Sequence, residues 1–295
     1  MKVYDCFTFF NELELLELRL KLLNDVVDYF VLVESNKTFK NKDKEFVFEA
    51  NKSMFEEYLA KIIYIRVEDM PDYDPAVDNI WTLEIHQRNS IMRGLENSSP
   101  EDLIFISDID EIPNSEVVRL LDKSKCEIKF LTYGPRRSFC QAFARFPLLL
   151  FKHHGMKLLD RMPLVLEQSL FYYFVNCRSK GKWPGTIITR FKNLTTPQKL
   201  RNRRYSHPRI INGGWHFSYL GGAERVAEKV NSIIGVPGTA YPKDYLEECI
   251  ANGLDIYGRD GQEFEYEFIN IVNAGFPEHM NAIIEKYPYL YFDKI

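Results

Sequence analysis

Three carboxylates follow a short apolar run in the middle of the chain: Asp108, Asp110 and Glu111 come after the apolar residues 103–106. An apolar run of this length, bounded by polar residues, predicts a buried strand. Acids at the carboxyl end of such a strand lie where open α/β sheets bind ligands. In an extended segment Asp108 and Asp110 point to the same side. Two such oxygen donors can hold Mg²⁺ or Mn²⁺ against a diphosphate; the alternative is a solvated acidic turn.

The composition is that of an ordinary globular protein. The 295 residues are 45% hydrophobic and 27% charged, which suits one large α/β domain or two small ones. The net charge of −4 gives no reason to expect a nucleic acid as a partner. The five cysteines are scattered and form no C-x-x-C pair, as is typical of reduced thiols. Since we find neither a secretory signal nor a bilayer-spanning apolar stretch, we expect a cytoplasmic protein without a transmembrane segment.

Strands alternate with helices along the first hundred or so residues. Residues 3–10, 26–33 and 62–67 are rich in β-branched and aromatic residues and predict strands. Leucines at helical spacing predict a helix after the first strand, with Asn11 as its N-cap. Another helix is predicted over residues 81–95, before the acidic motif. This alternation predicts a mostly parallel sheet with helices on both faces.

The later part of the chain has a weaker pattern. Residues 164–177 are apolar enough for a strand or a buried helix, and residues 130–160 show no clear period. A surface helix and tail are predicted from residue 278 onward. Further helices are predicted over 115–121, 223–234 and 244–253.

Charge is unevenly distributed along the chain. Residues 168–223 contain no Asp or Glu but ten Lys or Arg. They are Arg178, Lys180, Lys182, Arg190, Lys192, Lys199, Arg201, Arg203, Arg204 and Arg209. A basic segment that faces an acidic metal site would favour a diphosphate leaving group. The alternative is a solvated basic loop.

Several short motifs occur in order across roughly the first 260 residues. They are FFNEL at 9–13, LLELR at 15–19, VDYFVLVESNKTF at 27–39, QRN at 87–89, SDIDEIP at 107–113, FYY at 171–173, WPGT at 183–186, GGWHFSYLGG at 213–222, NGLD at 252–255 and GR at 258–259. Together these motifs resemble glycosyltransferase family 17.

The resemblance implies a GT-A type fold, in which a Rossmann-like α/β sheet that binds a nucleotide sugar is flanked by helices. This domain would cover residues 1–265, with a C-terminal helix and tail over 266–295 packed on it. The resemblance also implies a metal-dependent, inverting glycosyltransferase that uses UDP-GlcNAc or a related UDP-sugar with Mn²⁺ or Mg²⁺. The acceptor would be a hydroxyl of a glycan or glycoconjugate. Two departures are an insertion-like segment over 130–160 and a missing His-Glu pair in 232–239.

Metal ligands are expected from the acidic motif and from the Gly-Trp-His-Phe motif. Asp110 is the first choice, and Asp108 would contact the metal through water or bind the donor ribose. His216 would be a third ligand or a diphosphate contact, since a neutral imidazole suits Mn²⁺, with a core histidine as the alternative. Glu111 would bind the donor sugar or orient the ligands, unless it is only an acid at a helix N-terminus.

Other residues are candidates for donor and acceptor binding. Glu34, at a strand end, is expected to meet the uridine, and Arg88 to pair with the diphosphate or with the first aspartate of the acidic motif. Alternatively, both form a buried ion pair that only shapes the site. Trp215 would stack on a sugar ring, and Trp183 and Tyr173 would contact the acceptor; ordinary core positions are the alternative for these aromatic residues.

An inverting transfer needs a general base to deprotonate the acceptor hydroxyl. The acid-free segment leaves Glu167, Glu224, Asp255, Asp260 or an acid of the motif itself. Glu224 is favoured because it closely follows the Gly-Trp-His-Phe motif, although it would also suit a helix N-terminus. Two other functions remain open. One is a metal-dependent phosphohydrolase, whose sites also begin with Asp-x-Asp, and the other is a non-catalytic glycan-binding protein on the same fold.

Overall fold

The computed structural model of the protein describes residues 1–74, 76–122, 125–129, 154–232, 241–277 and 279–293. Most of the insertion-like segment, up to residue 153, lies outside these ranges. The segment that lacks the His-Glu pair also lies outside the described residues, from residue 233 onward.

The described residues form one mixed sheet with helices around it. The strands are β1 Val3–Phe9, β2 Tyr29–Ser35, β3 Ile62–Val67, β4 Leu103–Asp108, β5 Glu111–Pro113, β6 Ile128–Lys129, β7 Leu164–Tyr172, β8 Cys177–Arg190, β9 Arg209–Ser218 and β10 Tyr266–Phe268. The α-helices are α1 Leu13–Leu23, α2 Val47–Ala50, α3 Thr82–Asn89, α4 Ser115–Asp122, α5 Gly155–Leu159, α6 Pro197–Arg201, α7 Gly222–Ser232, α8 Lys243–Asn252 and α9 His279–Lys286. Short 3₁₀ helices cover Lys52–Tyr58, Ser90–Leu95, Phe191–Asn193, Gln262–Phe264, Ile271–Ala274 and Pro288–Leu290.

The strand order is β3-β2-β1-β4-β8-β7-β9-β5. The first four strands of this order are parallel, as predicted. Beyond β4 the sheet is mixed, because β8 runs antiparallel to both β4 and β7. Only residues 173–176 join β7 to β8, which is too short for the crossover that a parallel pair needs. The predicted α/β fold of GT-A type is confirmed, with a parallel half and a mixed half.

The sheet has a topological switch point beside β1. The chain passes from β1 to β2 on one side and later returns to β4 on the other side, so β1 lies between the two. At such a point the connections leave in opposite directions and open a crevice at the carboxyl ends of the strands, where α/β proteins bind ligands. The acidic motif begins at the end of β4 and therefore lies at this crevice.

The helix after β1 is buried over most of its surface. Leu16, Leu20 and Leu23 are fully buried, as the leucine spacing predicted. The predicted N-cap at Asn11 is wrong: the helix begins at Leu13, and the residue at the cap position is Glu12. The Glu12 carboxylate instead accepts hydrogen bonds from the two preceding backbone amides, at 3.3 and 3.1 Å.

The helix predicted over 81–95 is divided in two. An α-helix ends at Asn89 and a 3₁₀ helix continues to Leu95. Ser90 lies at the junction, where its hydroxyl donates to the His86 carbonyl at 3.0 Å. Trp81, which was expected on the buried side, is 44% exposed. It precedes the helix and lies at the cavity described below.

The C-terminal residues pack on the main body. Residues 266–268 add an antiparallel strand to β8. Helix α9 is less exposed than predicted, because Met280 and Ile283 are buried in the cluster that also contains α1. The helices predicted over 223–234 and 244–253 are confirmed within the described residues, as is a strand from residue 164. No helix in the described ranges combines the length and apolarity that a membrane span requires.

Candidate active site

A cavity of about 840 Å³ opens at the switch point. It lies between the segments that follow β1 and β2, helix α3, the acidic motif and the side chains of α6 and α7. Among the described residues, seven basic and five acidic side chains line it. The cavity wall therefore carries an excess of positive charge, which suits an anionic ligand.

Arg19 fixes the backbone of the acidic motif. Its guanidinium, on α1, is fully buried and forms a two-point ion pair with Asp5 of β1 at 2.6 and 2.7 Å. The same group donates to the backbone carbonyls of Asp108, Ile109 and Glu111 at 3.0–3.2 Å. Because arginine presents donors in a rigid fork, these bonds hold the turn between β4 and β5 in one conformation. Sequence reasoning missed this role, although a lone arginine in a leucine-rich helix was a usable signal.

Asp108 is held by two arginines. One carboxylate oxygen accepts from Arg88 at 2.8 Å and from the Thr8 hydroxyl at 3.1 Å, and the other accepts from Arg201 at 2.9 Å. The predicted pairing of Arg88 with the motif is confirmed, and Arg88 also bonds Glu84 rather than Glu34. About a third of the Asp108 side chain, 32%, remains exposed to the cavity. Asp108 can therefore still contact a ligand such as a ribose.

Protonation of Asp108 should destabilise the fold in acid. Burial pushes the pKa of this carboxyl upward, but Arg88 and Arg201 outweigh burial and hold the pKa well below its usual range. Such a group contributes stability that is present above its unfolded pKa, about 4, and is lost as pH falls through the folded value. Asp108→Asn should therefore lose stability less steeply below about pH 4 than the wild type, by at most about 1.4 kcal/mol per pH unit. Urea titrations at stepped pH measure this, and equal slopes would contradict it.

Glu111 is a positioning residue in this geometry. Its side chain is 1% exposed. One oxygen accepts from the Trp183 indole at 2.7 Å and from Arg201, and the other accepts from the Asp108 amide at 3.3 Å. Glu111 begins β5, so the alternative of an acid at a helix N-terminus is wrong. The carboxylate ties a cavity-lining indole to the acidic motif, which fits the predicted orienting role better than direct catalysis.

Asp110 and His216 face each other across the β5–β9 pair. The His216 Nε2 atom lies 3.6 Å from one Asp110 oxygen, and the other oxygen accepts from the Lys229 ammonium at 2.9 Å. Burial raises the pKa of Asp110, but Lys229 and His216 outweigh burial and lower it. The His216 Nδ1 atom is buried and has no hydrogen-bond partner among the described residues. Two of the three predicted metal donors are thus adjacent and partly unsatisfied.

The predicted metal trio does not converge as a preformed site. Within the described ranges, no cluster of three or more acidic, His or Cys side chains is placed to hold a metal. Asp108 points its oxygens at arginines, whereas Asp110 and His216 offer an oxygen and an imidazole nitrogen, which suit Mn²⁺. A metal that bound here would use Asp110 and His216, with phosphate oxygens and water completing the set.

Glu34 does not reach the cavity as predicted. It is fully buried at the end of β2, where it accepts from the Lys44 ammonium, the amides of Val47 and Phe48, and the Tyr64 hydroxyl, at 2.6–3.1 Å. These partners occupy both oxygens, so the expected uridine contact is wrong. Lys44 itself lines the cavity, and Glu34 fixes its position.

Strand alternation separates the predicted aromatic residues. On β9, His216 faces the cavity while Trp215 packs in the core near Phe276, with ring centroids 6.3 Å apart. The predicted sugar contact of Trp215 is therefore wrong, because neighbouring strand residues point to opposite faces. Tyr173 is fully buried and donates to a backbone carbonyl at 2.7 Å, so it is also a core residue. Trp183 does line the cavity, as predicted.

Glu224 lies away from the cavity. Its side chain is 86% exposed and contacts Lys243 of α8 at 3.3 Å. It is in the first turn of α7, so the helix N-terminus alternative describes it and the predicted role as general base is wrong. Glu167, Asp255 and Asp260 do not line the cavity either. Outside the acidic motif, the cavity-lining acids of the described residues are Glu12 and Glu84.

Two of the ten cations in the acid-free segment line the cavity, Arg201 and Arg204. Arg201 ends helix α6, and Arg204 follows it closely. The helix begins with a proline in its first turn, and the Thr196 hydroxyl accepts a hydrogen bond from a backbone amide at 3.3 Å. Both features are typical of a helix start. Several other cations of the segment form surface ion pairs, such as Arg178 with Glu267 at 2.7 Å. The prediction of a basic segment facing the acids therefore holds for its middle part.

Arg204 is a cavity cation without an acidic partner among the described residues. Its guanidinium lies 5.4 Å from the Trp183 ring and 4.7 Å from the Tyr205 ring, and its Nε atom is buried without a hydrogen bond. Burial lowers the pKa of Arg204, and the nearby Arg201 lowers it further. A desolvated guanidinium with a free donor favours an anionic ligand.

The sequence of this chain is similar to those of known glycosyltransferases. Residues 1–132 match the model of Glycosyltransferase family 17. Relatives named beta-1,4-mannosyl-glycoprotein 4-beta-N-acetylglucosaminyltransferase are 29% identical in Rattus norvegicus, 29% in Homo sapiens and 28% in Mus musculus, each over 286 residues. The alignments cover 92% of this chain but 50% of each relative, so the chain spans about half the length of these proteins. The predicted resemblance is confirmed: residues 1–132 are similar to glycosyltransferase family 17, and most of the chain is similar to proteins named as N-acetylglucosaminyltransferases.

Proposed function

We propose that this chain transfers GlcNAc from UDP-GlcNAc to a hydroxyl of a glycan acceptor, with inversion at the anomeric carbon and with Mn²⁺ or Mg²⁺ as cofactor. The observation that carries the proposal is the acidic motif at the switch-point crevice, faced by arginines and a lysine that suit a diphosphate. The relatives' names supply the sugar, since each is an N-acetylglucosaminyltransferase.

The diphosphate of the donor would lie among the cavity cations. Arg204 has an unused donor and no acidic partner among the described residues, whereas Arg88 and Arg201 are shared with Asp108. The leaving UDP gains negative charge as the glycosidic bond breaks, and fixed cations that face this charge lower the barrier. A metal bound to Asp110 and His216 would supply Lewis-acid stabilisation of the same phosphates.

The acceptor would enter beside the indole of Trp183. Its hydrogen bond to Glu111 fixes the ring at the cavity wall, where an aromatic face can support a sugar. The acceptor hydroxyl must lose a proton during attack. Of the acids outside the motif, Glu12 and Glu84 lie at the cavity and replace Glu224 as candidates for this step. Glu84 is paired with Arg88 at 2.7 Å, and Glu12 with Lys229 at 3.5 Å.

UDP release from a panel of UDP-sugars tests the proposed donor and cofactor. We expect release from UDP-GlcNAc in the presence of Mn²⁺, and loss of release on addition of EDTA. Release from a different UDP-sugar would correct the donor alone. If no UDP-sugar is turned over and none binds, the glycan-binding alternative would replace the proposal. Release of inorganic phosphate from a phosphate ester would instead indicate a phosphohydrolase.

Replacement of Arg204 by methionine should weaken UDP binding by about 10-fold to 100-fold, since a charge-assisted hydrogen bond contributes about 1.5–3 kcal/mol. Calorimetric titration with UDP measures the change. The matched control is Arg203→Met, because Arg203 is the exposed neighbour that does not line the cavity. Equal loss of affinity in both variants would mean that general charge, rather than the position of Arg204, attracts the nucleotide.

A further inference from the structure

Lys229 occupies one of the two oxygens through which Asp110 could bind a metal. Its ammonium lies 2.9 Å from Asp110 Oδ2 and 3.5 Å from Glu12 Oε1. The side chain is 22% exposed and passes beside the Tyr219 ring, 5.5 Å from its centroid. A positive charge of the protein therefore lies on the same carboxylate to which the proposed function assigns a metal ion.

Lys229 and a divalent ion would repel each other if both were bound to Asp110. A divalent ion on the other oxygen, beside His216, would lie only a few ångströms from the Lys229 ammonium, and their repulsion is strong in a partly buried site. Asp110 is 9% exposed, so solvent screens the pair weakly. A nucleotide diphosphate in the cavity changes this balance, because its oxygens offer partners to the metal and to Lys229 at once.

We propose that Lys229 is an internal counter-cation that competes with the divalent metal at Asp110, so that the metal binds tightly only together with a nucleotide diphosphate. This inference rests on the proposed function, because it takes Asp110 as a metal ligand and a nucleotide diphosphate as the donor group. Coupling of this kind is reciprocal: the nucleotide raises the affinity for metal by the same factor by which the metal raises the affinity for nucleotide.

A purely structural ion pair predicts a different behaviour. If Lys229 only neutralised Asp110 for the sake of folding, its removal would lower stability without changing the dependence of metal binding on nucleotide. If it competes with the metal, its removal leaves Asp110 negative, poorly solvated and open to a cation. The measurement that separates these roles is metal affinity without nucleotide, which does not require turnover.

Mn²⁺ binding to the full chain, followed by electron paramagnetic resonance with and without UDP, tests the inference. We expect Lys229→Met to bind Mn²⁺ alone at least about tenfold more tightly than the wild type, within the usual range of coupling between sites. UDP should raise the Mn²⁺ affinity of the wild type by more than it raises that of the variant. Lys229→Gln, which keeps a hydrogen-bond donor without the charge, should behave as Lys229→Met does. The matched control is Lys243→Met on α8, outside the cavity.

The outcomes separate this inference from the proposed function. Mn²⁺ affinity that is unchanged or weaker in both Lys229 variants, with tight binding in the presence of UDP, would overturn the competing role and leave the metal proposal intact. Absence of Mn²⁺ binding to the wild type, even with UDP, would overturn both. Thermal melts of each variant confirm that the fold is retained.

Discussion

Replacement of Asp110 by asparagine should lower the rate of sugar transfer on the order of 10²–10³-fold, the effect of removing one transition-state contact from a preorganised site. Asparagine has nearly the same shape and still accepts a hydrogen bond from Lys229, so the fold should survive. It lacks the negative charge that the proposed metal ion would need. Steady-state kinetics with the UDP-sugar that the release panel selects measure the effect, and a circular dichroism melt checks folding.

Glu224→Gln is the matched control for this experiment. Sequence position alone favoured Glu224 as general base, whereas the structure places it at an exposed helix end beside Lys243. We expect its activity to stay within about twofold of the wild type, as for a surface substitution away from the site. Normal transfer by Asp110→Asn, or loss of transfer in Glu224→Gln, would contradict the assignment of the cavity as the active site.

Replacement of Arg19 by methionine should lower the free energy of unfolding by about 3–5 kcal/mol, the usual cost of removing one partner of a buried ion pair. Asp5, its partner, is fully buried and would keep an uncompensated charge. The three carbonyls of the acidic motif would also lose their donor. Urea denaturation measures the change in stability, and UDP binding should weaken with it because the turn is no longer fixed.

An exposed arginine supplies the comparison for Arg19. Arg93 forms a similar two-point pair with Asp69, at 2.8 and 2.9 Å, but the side chains are 39% and 61% exposed. Arg93→Met should cost less than about 1 kcal/mol, as surface ion pairs usually do. Equal costs at Arg19 and Arg93 would contradict the role of Arg19 in holding the site.

The strands of the parallel half of the sheet could be predicted, because a pattern of neighbouring residues marks each of them. The strand over 62–67 was predicted with the bounds that the structure shows, since alternating apolar and β-branched residues mark a strand wherever it occurs. The mixed half was not predictable in the same way. Which strands pair with β8 depends on contacts between distant residues, and local pattern carries little information about them.

Site residues were predictable where their surroundings in sequence fix their orientation. Four predicted residues reach the cavity: Asp108, Asp110, Arg88 and His216. Asp108 ends a buried strand, Asp110 lies in the turn after it, and the other two lie on elements beside it. The error in the predicted sugar contact of Trp215 was avoidable, since a strand cannot direct Trp215 and His216 to the same face. The buried position of Glu34 could not be predicted, because its partners come from the segment 44–64, which folds against β2.

Cations were the hardest part of the site to predict. Sequence shows that residues 168–223 are basic, but not that Arg204 lacks a carboxylate within the described residues or that Lys229 meets Asp110. Ion pairing is decided by distances between residues that are far apart in the chain. The paired cations nevertheless matter for the proposed chemistry, because they neutralise the charge of the acids before a ligand binds.

A crystal structure of the full chain with UDP-GlcNAc and Mn²⁺ tests the central claim most directly. We predict that the anomalous signal of Mn²⁺ lies within bonding distance of the Asp110 carboxylate, with a donor phosphate beside Arg204. A nucleotide bound outside the switch-point cavity, or a metal held by residues other than Asp110, would contradict the account.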